Sequence, residues 1–499
     1  MSRTEAEPGA AERPARLPIA PADQTWLHMD RPNNLMHVHS LMWFGEQEPS
    51  WEAIVDLVQR QVVDRFPVFS RRPVEERGRW FWEVSPDFDM TDHLTRTVLA
   101  GAPTAQSLRD YIGARFSDPF ETDRPLWSME VISGVTGLAD GPRTVVFSRF
   151  HHALADGIRL VQLLLSLCET TEDGALPPTV GREGGRGLLA AGADAVRHGV
   201  TDAWDVARGF GASALSVPIS AARLGPVALE HGWDLLVHPG HLIDALSSFT
   251  SEENASANTV AEVTRILAAG RSVRTSWTGT PGAAKQVAWT TGLDLGRVRR
   301  AGREYDGTVN DVLLAVISRA FTRYLQEKTA PVDEIHWLVP VSLSPLDADL
   351  PEELGNHFSL IFLPMPLGVR DPRQLIGQIS ERMTRIKQSA EPVVTFGIQW
   401  VLAESPTVVA TALTDLFANK AVGVLTNVPG PRIPMTFAGA PVAGMIGWAP
   451  CSGDEPMSVS IFSYDNQVTI AIAADAALVP EPDRIAALIT EEFEAFLPR

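Results

Sequence analysis

Cysteine is nearly absent from this 499-residue chain: only Cys168 and Cys451 occur, far apart and in no CxxC or Cys/His ligand spacing. That excludes a disulfide scaffold and a structural zinc site, and it fits a reducing compartment. Positive charge is also short. Lys and Arg number 42 against 61 Asp and Glu, a formal net charge of -19, so the clustered cations that grip a phosphate backbone are missing and nucleic acid is not an expected partner. The same balance argues against a polybasic anchor, but it leaves apolar docking onto a membrane or lipid droplet open. No apolar run is long enough to cross a bilayer: Leu160 to Cys168 is too short, and Phe396 to Phe417 is interrupted by Glu404, Pro406 and Asp415. Residues 1–16 mix Arg, Glu, Pro and Ala without the apolar stretch of a signal peptide. A disordered tail and a cytoplasmic protein are therefore expected.

What is present suffices for a large core. With 45% hydrophobic residues over this length, two domains or two fused half-domains are expected. Residues 17–175 alternate short β-rich runs with helical periodicity, and the clearest unit is a hairpin from Trp127 to Ser133 returning as Arg143 to Phe150. After Gly157, Ile158, Val161, Leu164, Leu165 and Cys168 fall at helical spacing. The segment between is a strand-to-helix junction. Pro, Gly and Arg from Gly174 to Gly187 mark a linker, and residues 176–284 read as a helical crossover. Its apolar faces around Leu188 to Leu236 suit either lipid contact or interior packing. A second β/α series fills 285–499. There Thr308 and Asp311 make a capping-box pattern ahead of the helical face Val309, Val312, Leu313, Val316, Ala320, Phe321 and Tyr324. Strands are expected at Ile335 to Leu343, Phe358 to Leu367 and Val422 to Val428, then a hairpin from Met457 to Ala473 turning at Asp465-Asn466, then a helix from Pro480 to Phe496.

Chemistry concentrates in His151-His152-Ala153-Leu154-Ala155-Asp156-Gly157. Imidazole is the side chain that is partly unprotonated near neutral pH, as a base for hydroxyl activation must be. Asp156 can hold the loop by charge-assisted hydrogen bonds, and Gly157 allows dihedrals that other residues avoid. A metal site is disfavoured, because adjacent strand residues point to opposite faces and no neighbouring His or Cys completes a set. A pair of satisfied polar residues at a core edge is the plainer alternative.

The segment resembles the signature of the bacterial wax ester synthase/diacylglycerol acyltransferases, within a wider group of coenzyme A-dependent acyltransferases. Pro125-Leu126-Trp127, Asn310-Asp311, Pro340-Val341-Ser342-Leu343, Thr426-Asn427-Val428-Pro429-Gly430-Pro431 and Met36-His37-Val38 extend the likeness in order over nearly the whole chain. The resemblance implies an α/β fold of two chloramphenicol-acetyltransferase-like halves. Each would carry a mixed, mostly antiparallel sheet, with an active-site tunnel between them. It implies transfer of a fatty acyl group from acyl-CoA to a long-chain alcohol or diacylglycerol, with His152 as base, His151 and Asp156 assisting, and no metal or other cofactor. Another acceptor, or an inactive acyl-binding relative, is the alternative.

Among the supporting residues, Trp127 reads most simply as packing and Asn427 with its Pro-Gly as a turn. Asn310 reads two ways, as support for its own helix or as an amide in the cleft. Gly355-Asn356-His357-Phe358 and Glu455-Pro456-Met457 depart from the family pattern, so the acceptor does not carry over.

Overall fold

Two seven-stranded sheets form, each from β-branched and aromatic runs that bury one face against helices. The computed structural model describes residues 16–138, 141–170, 273–342, 350–351, 353–356, 358–388, 414–415 and 417–498. Residues 1–15 of the expected tail, the expected lipid-facing stretch 188–236, most of the crossover and the strand end at Leu343 lie outside these residues, whereas Arg16, expected in the tail, begins a strand.

In the N-terminal sheet the order is β5 (Leu94–Thr97), β6 (Trp127–Val135), β7 (Arg143–His151), β2 (His37–Phe44), β15 (Ala440–Trp448), β14 (Met435–Phe437) and β8 (Cys168–Thr170). In the C-terminal sheet it is β10 (Leu293–Asp294), β17 (Gln467–Asp475), β16 (Met457–Tyr464), β13 (Gly423–Pro429), β11 (Glu334–Ser342) and β12 (Phe358–Pro366), with β9 (Lys285–Trp289) also on β17. A small sheet joins β1 (Arg16–Pro18), β4 (Arg79–Val84) and β3 (Arg71–Glu76). Pairing is mostly antiparallel; β5 with β6, and β13 with both β11 and β16, are parallel. The fold is therefore the mixed α/β architecture of two sheet-rich halves.

Local chemistry explains the best-defined elements. Asp465 and Asn466 adopt φ of 43° and 59°, the two left-handed residues that a two-residue hairpin needs and that Asn and Asp tolerate best among side chains. Of the helices α1 (Pro21–Met29), α2 (Trp51–Val58), α3 (Ala105–Arg115), α4 (Gly157–Ser166), α5 (Leu295–Tyr305), α6 (Val309–Glu327), α7 (Pro372–Gln388) and α8 (Pro482–Phe496), α6 is the longest. Its start is a capping box: Thr308 Oγ1 accepts from Asp311 N at 3.2 Å and Asp311 Oδ2 accepts from Thr308 N at 2.9 Å. No helix among the described residues is long and apolar enough to cross a membrane.

The sequence reading places no strand at 435–448, yet β15 lies beside β2, pairing Met445 with Met42 and Trp448 with His39. A strand from late in the chain thus completes the N-terminal sheet. At its bulge, a Cβ on Gly444 would lie 2.0 Å from Trp43 Cζ2, so only glycine lets the two strands approach. One apolar cluster belongs to the C-terminal half, and a second, mainly N-terminal, also takes in Leu354, Val428, Phe462 and Tyr464 from the C-terminal half. A third, with Leu41, Phe147, Trp289, Ile446, Trp448 and Ala471, spans both. Each of its large side chains contributes about 1.5–3 kcal/mol by leaving water, which fixes one half on the other.

Candidate active site

Strand β7 delivers the two histidines. His151 N donates to Leu126 O at 2.9 Å and His152 N to Met36 O at 2.7 Å, so neighbours on both sides hold the junction. His151 is 1% exposed and points back into the protein. Its Nδ1 accepts from Ala153 N at 3.0 Å, which puts its proton on Nε2, and Nε2 donates to Asp30 Oδ2 at 3.1 Å. Asp30 Oδ1 accepts from Met36 N at 2.6 Å. His37, the register partner of His151, completes a set with Asp30 and His151 whose ligand atoms lie within 4.8 Å of one another. Sequence proximity could not show this set. Both Asp30 oxygens and both His151 nitrogens are hydrogen-bonded, whereas both ring nitrogens of His37 are buried without a hydrogen-bond partner.

His152 faces the other way, as alternation requires. Its Nδ1 lies 2.8 Å from Asn356 Oδ1. The Asn356 amide has only one consistent orientation, because its Nδ2 donates to His152 O at 2.9 Å and to Asp23 Oδ1 at 2.8 Å. An amide oxygen only accepts, so His152 Nδ1 carries the proton and Nε2 carries the lone pair. The ring stacks on Trp26 at 4.0 Å and packs beside Phe358 at 5.6 Å. Burial pushes its pKa down to about 4, against the opposing Asn356 hydrogen bond. The His152 imidazole is thus fully neutral at pH 7, rather than partly so as an ordinary imidazole would be. Burial also pushes the Asp23 carboxyl up to about 7, again opposed by Asn356.

Asp156 caps α4. Its Oδ1 accepts from Ile158 N at 3.0 Å and Arg159 N at 2.9 Å, and its own N–H donates to Gly355 O at 3.1 Å. Its charge sits where a helix N-terminus favours it. Gly157 corrects the sequence reading: it is not among the residues with left-handed φ. A Cβ there would meet nothing within 4 Å, because Gly157 borders a cavity and keeps that wall clear.

That cavity runs from His152 between α4 and the N-terminal sheet and encloses about 1180 Å³, mouth included. Its walls include Val161 and Leu164 of α4, Phe150 and Val146 of β7, and Met42 and Met445 beyond them. From His152 to Val146 is six residues of strand, roughly 20 Å at about 3.3 Å each. The C-terminal sheet closes the near end with Thr426, Val428 and Phe462.

The remaining candidates lie elsewhere. Leu126 and Trp127 are core: Trp127 Nε1 donates to Phe69 O at 2.8 Å, its ring stacks on His93 at 4.9 Å, and neither residue nor Pro125 lines the tunnel. Their service to the site is the Leu126 carbonyl under His151. Asn427 is a strand residue rather than part of a turn, since β13 runs on to Pro429. Its Nδ2 donates to Asn310 Oδ1 at 2.9 Å. The two amides border a second cavity of about 1520 Å³, open and polar, with Thr308 and three arginines. Asn310 therefore reaches a cavity, but not the one holding His152, while Asp311 serves the capping box.

Sequence reasoning missed Asn356, Asp23 and Trp26. Asn356 was visible only as an irregular family-like element, and nothing in the spacing ties it to a histidine 204 positions earlier.

Residues 19–313 match the model of the wax ester synthase/diacylglycerol acyltransferase catalytic domain, and residues 354–496 that of the WS/DGAT C-terminal domain. The O-acyltransferase WSD of Acinetobacter baylyi is 23% identical over 494 residues, covering 96% of each chain. A putative diacylglycerol O-acyltransferase of Mycobacterium tuberculosis is 25% identical over 408 residues, 80% of this chain and 73% of the relative. Among solved structures, the wax ester synthase/diacylglycerol acyltransferase of Marinobacter aquaeolei superposes with a TM-score of 0.63 at 17% identity, covering 96% of this chain and 98% of that one. The first condensation domain of the calcium-dependent antibiotic synthetase gives 0.52 at 14% identity, covering 96% of each. These two share the fold.

Proposed function

The chain belongs to the wax ester synthase/diacylglycerol acyltransferase family, and we propose that it transfers a long acyl group from acyl-CoA to a lipid hydroxyl, with His152 as the base. One observation carries this reading: an imidazole fixed in its Nδ1–H tautomer, with Nε2 left without a protein partner among the described residues, at the mouth of an apolar tunnel.

The acceptor hydroxyl gives its proton to His152 Nε2 as its oxygen attacks the thioester carbonyl carbon. The C–O bond forms and a tetrahedral oxyanion results. On collapse the C–S bond breaks, and the departing thiolate takes the proton back from the imidazolium. A site that holds the neutral form so strongly makes the imidazolium a strong acid, which favours that return. The step needs neither metal nor redox cofactor. His151, buried against Asp30, positions the loop, and Asp156 and Asn356 tie it to α4 and to the other half. The apolar tunnel suits a fatty acyl chain, and a long-chain alcohol or diacylglycerol suits the same surroundings. We place the enzyme in a reducing cytoplasmic compartment, in peripheral contact with membrane or lipid droplets where such acceptors reside.

The test is to incubate the purified protein with a long-chain acyl-CoA and a panel of long-chain alcohol, diacylglycerol and polar hydroxyl compounds, measuring ester and released thiol. Ester formation confined to the lipid hydroxyls is expected. Ester from the polar hydroxyls alone would reassign the acceptor. Acyl-CoA binding without ester from any acceptor would make the chain a lipid-binding relative.

A further inference from the structure

Helix α1 reaches His152 at two points. Trp26 lies one turn after Asp23 on the same face of the helix, and its indole stacks on the His152 ring at 4.0 Å with 21° between the planes. It also stacks on Phe358 at 5.7 Å, so one face of the imidazole is covered and its plane is held. Asp23 reaches the edge of the same ring through Asn356. An acid in the first turn of a helix can serve the free N–H groups of that turn. Here the N-cap is Ala20, without a side-chain cap bond, and Asp23 Oδ1 is turned across to the C-terminal half, where it accepts from Asn356 Nδ2 at 2.8 Å. Asp23 is only 7% exposed, and burying a carboxyl costs free energy that a surface position would avoid.

The two ways up of the Asn356 amide have opposite consequences for His152, because turning the amide over exchanges an acceptor for a donor. With Oδ1 toward the ring, as found, the proton sits on Nδ1 and Nε2 keeps its lone pair. With Nδ2 toward the ring, the proton would sit on Nε2 and the lone pair would be spent on the amide. Asn356 Nδ2 has two hydrogens, and they go to His152 O at 2.9 Å and to Asp23 Oδ1 at 2.8 Å. Turned over, Oδ1 would face both of these acceptors. The backbone nearby fixes where Asn356 stands, since Gly355 O accepts from Asp156 N at 3.1 Å. It does not fix which way up the amide lies; the His152 carbonyl and the Asp23 carboxyl do that together.

We propose that Asp23 is a positioning residue for the base: by accepting from Asn356 Nδ2 it keeps the Asn356 oxygen toward His152, and so holds the imidazole in the tautomer that takes a proton at Nε2. The role rests on the acyl-transfer reading above, in which His152 Nε2 is the atom that acts, and Asp23 works through Asn356 rather than on the reacting atoms. The bond survives a change of charge, because a carboxyl protonated on Oδ2 still accepts at Oδ1. Burial, opposed by the Asn356 hydrogen bonds and aided by the Asp156 and Glu353 charges, pushes the Asp23 carboxyl up to about 7, so both forms occur near neutral pH. An ionised carboxylate has a further advantage over an amide at this position: it has no hydrogen to give to an inverted Asn356.

Two measurements on the full chain decide it. In the first, kcat for ester formation from a long-chain acyl-CoA is compared in Asp23→Leu, Asn356→Ala and the double variant. Asp23→Leu should lower kcat about tenfold with KM within about twofold, the effect of releasing one of the two bonds that orient the amide. In the Asn356→Ala background the same substitution should change kcat by less than about twofold, because the residue it acts through is gone. Asp23→Asn, which keeps an accepting oxygen, should restore most of the loss. In the second, nitrogen NMR on histidine-labelled protein reads the tautomer without turnover, the His152 signal being identified by its loss in His152→Ala. Wild type and Asp23→Asn should carry the proton on Nδ1, and Asp23→Leu should show a share of Nε2–H. Asp23→Ala takes the place of Asp23→Leu if leucine prevents folding. Unchanged kcat and tautomer without the carboxyl, or an equal loss of kcat in both backgrounds, would overturn the role. An Asp23-dependent tautomer in a protein that forms no ester with any acceptor would instead sink the acyl-transfer reading and leave the positioning of His152 standing.

Discussion

On one side of β13, Thr426 and Val428 face an apolar tunnel with a neutral imidazole at its mouth; on the other, Asn427 faces a polar cavity bordered by three arginines. Strand alternation makes this possible, because successive side chains leave opposite faces of the sheet. The tunnel side excludes water and charge, which drives the His152 pKa down and leaves a free lone pair. The other side carries Arg299, Arg303 and Arg432 beside the Asn310 and Asn427 amides. An apolar and a polar cavity thus lie on opposite faces of one strand, separated by a single residue step.

The sharpest way to break that comparison is to remove the base. His152→Ala should lower kcat by about a thousandfold, the usual range for a positioned base, with acyl-CoA affinity and the melting curve retained. Single-turnover rates beside a binding isotherm check this. Near wild-type turnover would strip the tunnel side of its chemistry. His151→Ala should instead lower the melting temperature, since it removes a buried link to Asp30 and to Ala153 N.

The second cut is at the tautomer. Asn356→Ala removes the acceptor that keeps the proton on His152 Nδ1, and kcat should fall on the order of a hundredfold. If acyl transfer survives unchanged, the bond between halves is structural only.

The pH profile sharpens the electrostatic side of the comparison. The base must be neutral and its pKa is pushed down to about 4. Activity should therefore hold as pH falls from 8 through 6.5 and decline only toward 4, one proton per site. Any inflection near 7 belongs to Asp23 and should vanish in Asp23→Asn while the acid limb stays. A fall centred at 6.5 would mean that His152 is solvated.

On the cationic side, Asn310→Ala should leave kcat within about twofold, because Asn310 borders the cavity away from His152. A large drop in kcat at constant KM would place Asn310 on the tunnel side instead.

The smallest effect concerns Glu455. It is fully buried, with Oε2 accepting from Ser452 N at 2.7 Å, and burial pushes its carboxyl up to about 8. A raised folded pKa gives stability that is complete below the unfolded value near 4.5 and is lost as pH rises through 8. Wild type should melt lower at pH 9 than at pH 6. Glu455→Gln should flatten that slope, and an unchanged slope would point to other groups.

Much of the machinery was legible before any coordinates. The strand-to-helix junction, the capping box of Thr308 and Asp311, the Asp465-Asn466 hairpin and the inward-facing Trp127 follow from local patterns. The turn reading of Asn427 erred because Pro-Gly two residues on suggested a loop, whereas parallel pairing with β16 extends the strand to Pro429. The role of Gly157 was misjudged because dihedral freedom is the general reason for glycine, while here the empty space beside it matters.

What the sequence determined by itself is the set of short-range facts: which residues alternate, where helices start, and that one imidazole of an adjacent pair turns away from the other. Only the tertiary structure decided that β15 completes the N-terminal sheet, that Asn356 meets His152, and that three arginines from two segments share one cavity. Periods of 2 and 3.6 are written into neighbouring residues. Contacts 204 or more positions apart depend on how apolar faces pack together, and that packing alone sets the burial that leaves His152 neutral.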